Sequence, residues 1–228
     1  MKKRMTRLTI AFCFLLLFTI FSWTVKQGAF RNNDFAFTVK VQEAIDKSPR
    51  LRLSRMVGEV MEGSTFFASP EFSVVVIVGI TVIAMIKKKK NRWTVLAIPV
   101  FFGLLILAEI YGKTVVHHPA PPFFMIKNPT SVFPKYYINE QFSYPSGHAA
   151  RAIFLALVVL SLTMKQWSDG TIRRNILVAA VLGIYVGLVS LSRIYLGHHW
   201  VSDIVGGLLL GGGMSFSAIA FLHFGTDR

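Results

Sequence analysis

Imidazole, carboxylate and guanidinium groups gather in the stretch Ser192-Arg193-Ile194-Tyr195-Leu196-Gly197-His198-His199-Trp200-Val201-Ser202-Asp203. His199 and Asp203 are spaced i, i+4, so on a helix they share a face and can hydrogen-bond. A carboxylate on one imidazole nitrogen fixes the tautomer and raises the basicity of the other, which makes a competent nucleophile. Arg193 offers a planar fork matched to phosphate oxygens. The plainer alternative is a structural His-Asp pair with an interfacial arginine. A second cluster, Tyr144-Pro145-Ser146-Gly147-His148-Ala149, heads an apolar run. A helix starting there leaves the N–H groups of Ser146, Gly147 and His148 without intrahelical partners, which is a natural anion site. An ordinary N-cap beside an interfacial histidine is the competing account. Third comes Lys113, followed by Thr114-Val115-Val116-His117-His118-Pro119-Ala120-Pro121-Pro122. Alone it suits a snorkelling anchor; beside an anion site it becomes a counter-charge.

The elements that must position these clusters are membrane helices. Of 228 residues 53% are hydrophobic and 16% charged, and the apolar residues collect in long runs. The net charge of +14 flanks those runs instead of lining one face, which favours anionic lipid headgroups over nucleic acid. Six spans are expected, at about 8–25, 72–86, 93–111, 149–164, 176–191 and 201–222, in one all-α polytopic domain over 1–228. The first follows Met1-Lys2-Lys3-Arg4, and bulky Trp23-Thr24-Val25-Lys26 in place of a cleavage site predicts an uncleaved anchor. Between about 35 and 62, apolar and basic residues alternate around Pro49, predicting a pair of interfacial helices. Gly206-Gly207 and Gly211-Gly212-Gly213 suit close helix packing. Cys13 lies inside the first run and is expected to pack.

Positive charge sets the orientation. Lys2, Lys3, Arg4, Arg7, Lys87 to Lys90, Arg92, Lys165, Arg173, Arg174 and Arg228 sit in short pieces on one side. The positive-inside rule makes that side cytoplasmic, with both termini on the cytoplasmic side of a cell membrane. The loops 113–147 and 192–200 then share the extracytoplasmic side.

These residues resemble the type 2 phosphatidic acid phosphatases. That family carries Lys-x6-Arg-Pro, then Pro-Ser-Gly-His, then Ser-Arg-x5-His-x3-Asp. The second part is matched by Pro145-Ser146-Gly147-His148 and the third by Ser192-Arg193, His199 and Asp203. The first departs from the pattern: six residues after Lys113 stands Ala120, not arginine, before Pro121. The resemblance implies a membrane lipid phosphatase in which His199 attacks phosphorus, Asp203 orients it, and His148 protonates the leaving oxygen and then activates water. Lys113, Ser146, Gly147 and Arg193 would hold the phosphoryl oxygens, with no metal or other cofactor. His117, His118 or Arg151 is expected to fill the gap left at Ala120; Arg151 lies three residues after His148 on the same helical side. The substrates implied are undecaprenyl diphosphate, phosphatidylglycerol phosphate or phosphatidic acid. A phosphotransferase with the same intermediate and a non-catalytic lipid-phosphate binder stand as rivals.

Overall fold

The computed structural model describes residues 2–47, 51–88, 91–127, 141–164 and 169–223. Eight α-helices follow in order: α1 (Lys2–Lys26), α2 (Arg31–Asp46), α3 (Leu51–Phe66), α4 (Pro70–Lys87), α5 (Ala97–Val116), α6 (Gly147–Thr163), α7 (Asp169–Tyr195) and α8 (Val201–Leu222). A 3₁₀ turn at Arg92–Leu96 leads into α5. Five helical segments are long and apolar enough to cross a membrane, and α6 is a shorter apolar helix. The expected spans coincide with these segments, except that 164 lies one residue past α6 and 93–96 fall in the 3₁₀ turn. The helices run further into polar sequence than hydropathy alone suggests, because backbone hydrogen bonding does not stop where side chains turn polar.

The packing centres on α8. Its apolar window is 67% buried, against 11% for α1 and 17% for α4 and α7. Small residues explain the difference. At Gly207 an added Cβ would collide with the carbonyl of Ser146, so α8 lies directly against the start of α6. Gly212 and Gly213 give the same closeness to Phe14 and Leu15 of α1. The main core joins Ile77, Ile98, Phe102, Leu105, Phe154, Val158, Ala218 and Leu222. The other faces of the bundle expose large apolar residues such as Val75, Ile86, Leu107 and Ile184, as a lipid-facing belt does.

At one end, Lys88 Nζ donates to Thr94 Oγ1 at 2.6 Å and also to the carbonyl of Leu222, closing the C-terminus of α8. At the opposite end lie the polar clusters. α2 and α3 occupy the segment expected to be interfacial, but α2 also packs inward. Val41 and Ile45 meet Tyr195 and Leu196, while Gln42 Nε2 donates to the carbonyls of Met125 (2.8 Å) and Tyr195 (2.9 Å). Pro49, Lys89, Lys90, Lys165, Arg228 and the aromatic stretch 133–137 lie outside the described residues.

Candidate active site

Helix α5 ends at Val116, and His117 adopts a left-handed backbone (φ 55) that turns the chain. Consecutive histidines therefore point apart. His117 is exposed, its ring edge-on to Phe142 with centroids 4.7 Å apart. His118 is buried. The segment is clamped by Ser143 N–H donating to His118 O (3.0 Å), Ala120 N–H to Gln141 O (3.2 Å) and Trp200 Nε1–H to Pro119 O (2.7 Å).

A tight turn joins α7 to α8. Gly197 holds φ 68 and its Cα abuts the carbonyl of Met125, so both conformation and space require glycine. The N–H groups of His198 and His199 donate to Arg193 O at 3.0 and 3.2 Å. Trp200 caps α8, so His199 precedes the helix and does not share its face with Asp203 as the spacing suggested. The two still meet: His199 Nδ1 lies 3.4 Å from Asp203 Oδ2, within ion-pair range but not aligned as a hydrogen bond. Loose contacts of this kind are usual in a catalytic pair before substrate binds.

Asp203 is fully buried and held elsewhere as well. Trp200 N–H donates to its Oδ2 at 2.9 Å, and His118 Nδ1 lies 2.9 Å from its Oδ1. His118 Nε2 faces Asp34 Oδ2 at 3.8 Å. Asp34, from α2, accepts from Ser202 N–H (2.9 Å) and Ser202 Oγ–H (2.7 Å). Burial pushes the Asp34 carboxyl above its ordinary value, against the Ser202 donors and the nearby His118. His199 is held below the ordinary imidazole value, first by burial; Asp203 pulls it upward, while Arg193 and Lys113 push it down. A neutral, lone-pair-bearing imidazole is the form a nucleophile needs. His198 is pushed down to about 2 by burial and then by Arg193.

Ser146 caps α6, and its N–H donates to the backbone carbonyl of Asp203 at 3.0 Å. The expectation of three unpartnered N–H groups there is corrected accordingly: Ser146 ties α6 to α8, leaving the N–H groups of Gly147, His148 and Ala149 at the helix start. The Ser146 hydroxyl is buried without a hydrogen-bond partner among the described residues. Arg193 is 3% exposed and its charge bears on His148, His198 and His199 together. His148 and His199 thus share one end of the bundle and one cation.

Arg151 is committed in three directions. Its Nε donates to Ala68 O at 3.0 Å, one terminal nitrogen to Glu109 Oε2 at 2.7 Å, and the other lies 3.5 Å from His148 Nδ1. Arginine only donates, so this approach orients the His148 ring without taking a proton from it. Glu109, on α5, also faces Lys113 at 3.6 Å and lies against Gly147, where an added Cβ would strike its carboxylate. The guanidinium expected to replace the missing arginine at a phosphate instead holds an internal carboxylate and an imidazole. His118, expected in the same role, is on Asp203, and His117 is directed to Phe142.

Two acids escaped the sequence analysis. Glu109 carried a signal, since it is the lone acid within an apolar run and stands i, i+4 to Lys113. Asp34 carried none, because nothing in its spacing points to residue 202. Among the described residues no three of His, Cys, Asp and Glu form a group able to hold a metal.

The PAP2 superfamily model matches residues 93–226, which include all three clusters. Undecaprenyl-diphosphatase of Sulfolobus acidocaldarius is 30% identical over 207 residues, covering 90% of this chain and 87% of that protein. Phosphatidylglycerophosphatase B of Bacillus subtilis is 29% identical over 171 residues, or 74% and 77% of the two chains. The crystal structure of a transmembrane PAP2 type phosphatidylglycerolphosphate phosphatase from Bacillus subtilis superposes with a TM-score of 0.68 at 26% identity, covering 92% of this chain and 94% of that one. The apolar helices, the imidazole pair at one end of the bundle and these likenesses agree: the chain belongs to the PAP2 superfamily of membrane phosphatases.

Proposed function

We propose that the protein hydrolyses a lipid phosphate or diphosphate at the extracytoplasmic membrane face through a phosphohistidine on His199. The observation that carries this is the placement of a buried Asp203 beside His199 at the bundle end that also holds His148 and Arg193. His199 Nε2 attacks phosphorus as the bond to the lipid oxygen breaks, and His148, entering the step as the imidazolium, gives a proton to that oxygen and is left neutral. Water then attacks the phosphohistidine, giving a proton back to His148 and releasing phosphate and neutral His199. Lys113, Arg193, the Ser146 hydroxyl and the N–H groups opening α6 surround the equatorial oxygens. Phosphoryl transfer asks for this kind of positioning and positive charge.

The relatives named above suggest undecaprenyl diphosphate and phosphatidylglycerol phosphate as substrates, with phosphatidic acid as the generic lipid monoester. Purified protein in detergent is expected to release phosphate from at least one of these three with no added acceptor and in the presence of EDTA. Release only when an alcohol acceptor is supplied would make it a phosphotransferase. No release from any of them would favour a non-catalytic binder, the reading that Ala120 motivates.

The sidedness rests on the charge pattern and has its own test. In a Cys13→Ser background, Thr114→Cys lies at the site end and Arg92→Cys at the opposite end, both exposed. A membrane-impermeant maleimide applied to intact cells should label Thr114→Cys, and Arg92→Cys only after permeabilisation. The reverse pattern would put the site inside.

A further inference from the structure

Asp203 is the hinge of the proposed nucleophile, yet its own orientation needs explaining. The terminal torsion of an aspartate is broad, so one hydrogen bond leaves the carboxylate free to rock. The Trp200 N–H holds Oδ2 at 2.9 Å. A second pin comes from His118, 85 residues distant in sequence, whose Nδ1 meets Oδ1 at 2.9 Å with both side chains buried. Asp34 stands at the far nitrogen of His118, itself anchored by two donors from Ser202, the residue before Asp203. The result is a closed loop of α2, the segment after α5, and the first turn of α8.

We propose that His118, backed by Asp34, is a positioning residue for the nucleophile: it donates Nδ1–H to Asp203 Oδ1 and so keeps Oδ2 turned to His199. The segment that in the family pattern gives an arginine to phosphate here gives an imidazole to the carboxylate behind the nucleophile. The left-handed turn at His117 makes this possible, because it swings residue 118 inward.

This inference rests on His199 being the nucleophile, and the experiment separates the two. Full-length His118→Leu, His118→Asn and His199→Ala are assayed on the lipid phosphate that the wild type hydrolyses best, with inhibition by orthovanadate as a check that the site is folded. His118→Leu is expected to lose about 10- to 100-fold in kcat with KM and vanadate inhibition nearly unchanged. His118→Asn, whose amide N–H falls near the Nδ1 position, should recover most of that loss; a merely space-filling role would give no such recovery. The proposal is overturned if His118→Asn is as impaired as His118→Leu, if His118→Leu is fully active, or if KM rises while kcat holds, which would make His118 a phosphate ligand. Should vanadate inhibition vanish in His118→Leu through misfolding, the ratio of His118→Asn to wild type decides alone. An active His199→Ala would sink the nucleophile assignment and this inference with it, whereas a dead His199→Ala beside a fully active His118→Leu would sink the positioning role only.

Discussion

His199→Ala lowers phosphate release by about 10⁴-fold or more and leaves no phosphate on the protein, whereas His148→Ala stalls with phosphate attached. The contrast follows from their environments. His199 is buried, neutral and backed by Asp203, so its removal takes away the proposed attacking group. His148 lies beside Arg151 and is needed twice, first as the imidazolium acid and then as the neutral base. A lipid alkoxide leaves poorly without a proton, so on a lipid phosphate His148→Ala should lose about 10²- to 10⁴-fold. An aryl phosphate bypasses the first need but not the second. With a ³²P-labelled aryl phosphate, rapid acid-free quenching of His148→Ala should show base-stable, acid-labile label that His199→Ala lacks. Equal label on both variants, or label that is stable to acid and lost in base, would point to a different nucleophile.

The chemistry was legible in the sequence where it depends on local spacing. The i, i+4 separation of His199 and Asp203 identified a pair that does meet, although their contact crosses the helix start. Five of the six apolar runs fall on helical segments long and apolar enough to cross a membrane and the other on the shorter α6, since bilayer thickness demands such runs. What spacing could not supply was the direction of side chains in irregular segments. His117 and His118 are adjacent and chemically identical, and only the positive φ at residue 117 sends one to Phe142 and the other to Asp203. Arg151 was correctly set beside His148 but assigned to phosphate, because its buried partner Glu109 lies on another helix. Asp34 shows the extreme case. Its partner Ser202 is 168 residues away, and the alternating pattern around Asp34 describes a surface helix equally well.

Glu109→Ala is expected to be the most destabilising single change at this end of the bundle. The Arg151–Glu109 pair spans 2.7 Å, with side chains only 5% and 11% exposed. Removing the acid strands a guanidinium among apolar helices, which costs about 3–5 kcal/mol for a buried pair broken from one side. Lys113 loses its neighbour and the start of α6 loses a carboxylate at its positive end, adding in the same direction. Arg151→Met should cost less, because Glu109 keeps Lys113 and the helix N-terminus. If the pair is what matters, Glu109→Gln combined with Arg151→Met leaves no stranded guanidinium and should unfold well above Glu109→Ala in a detergent melt. Its turnover should nevertheless stay low, since His148 has lost the guanidinium that stands at its Nδ1. A double variant no more stable than Glu109→Ala would mean that Glu109 acts by packing against Gly147 and not by charge. One that is both stable and fully active would remove Arg151 from the positioning of His148.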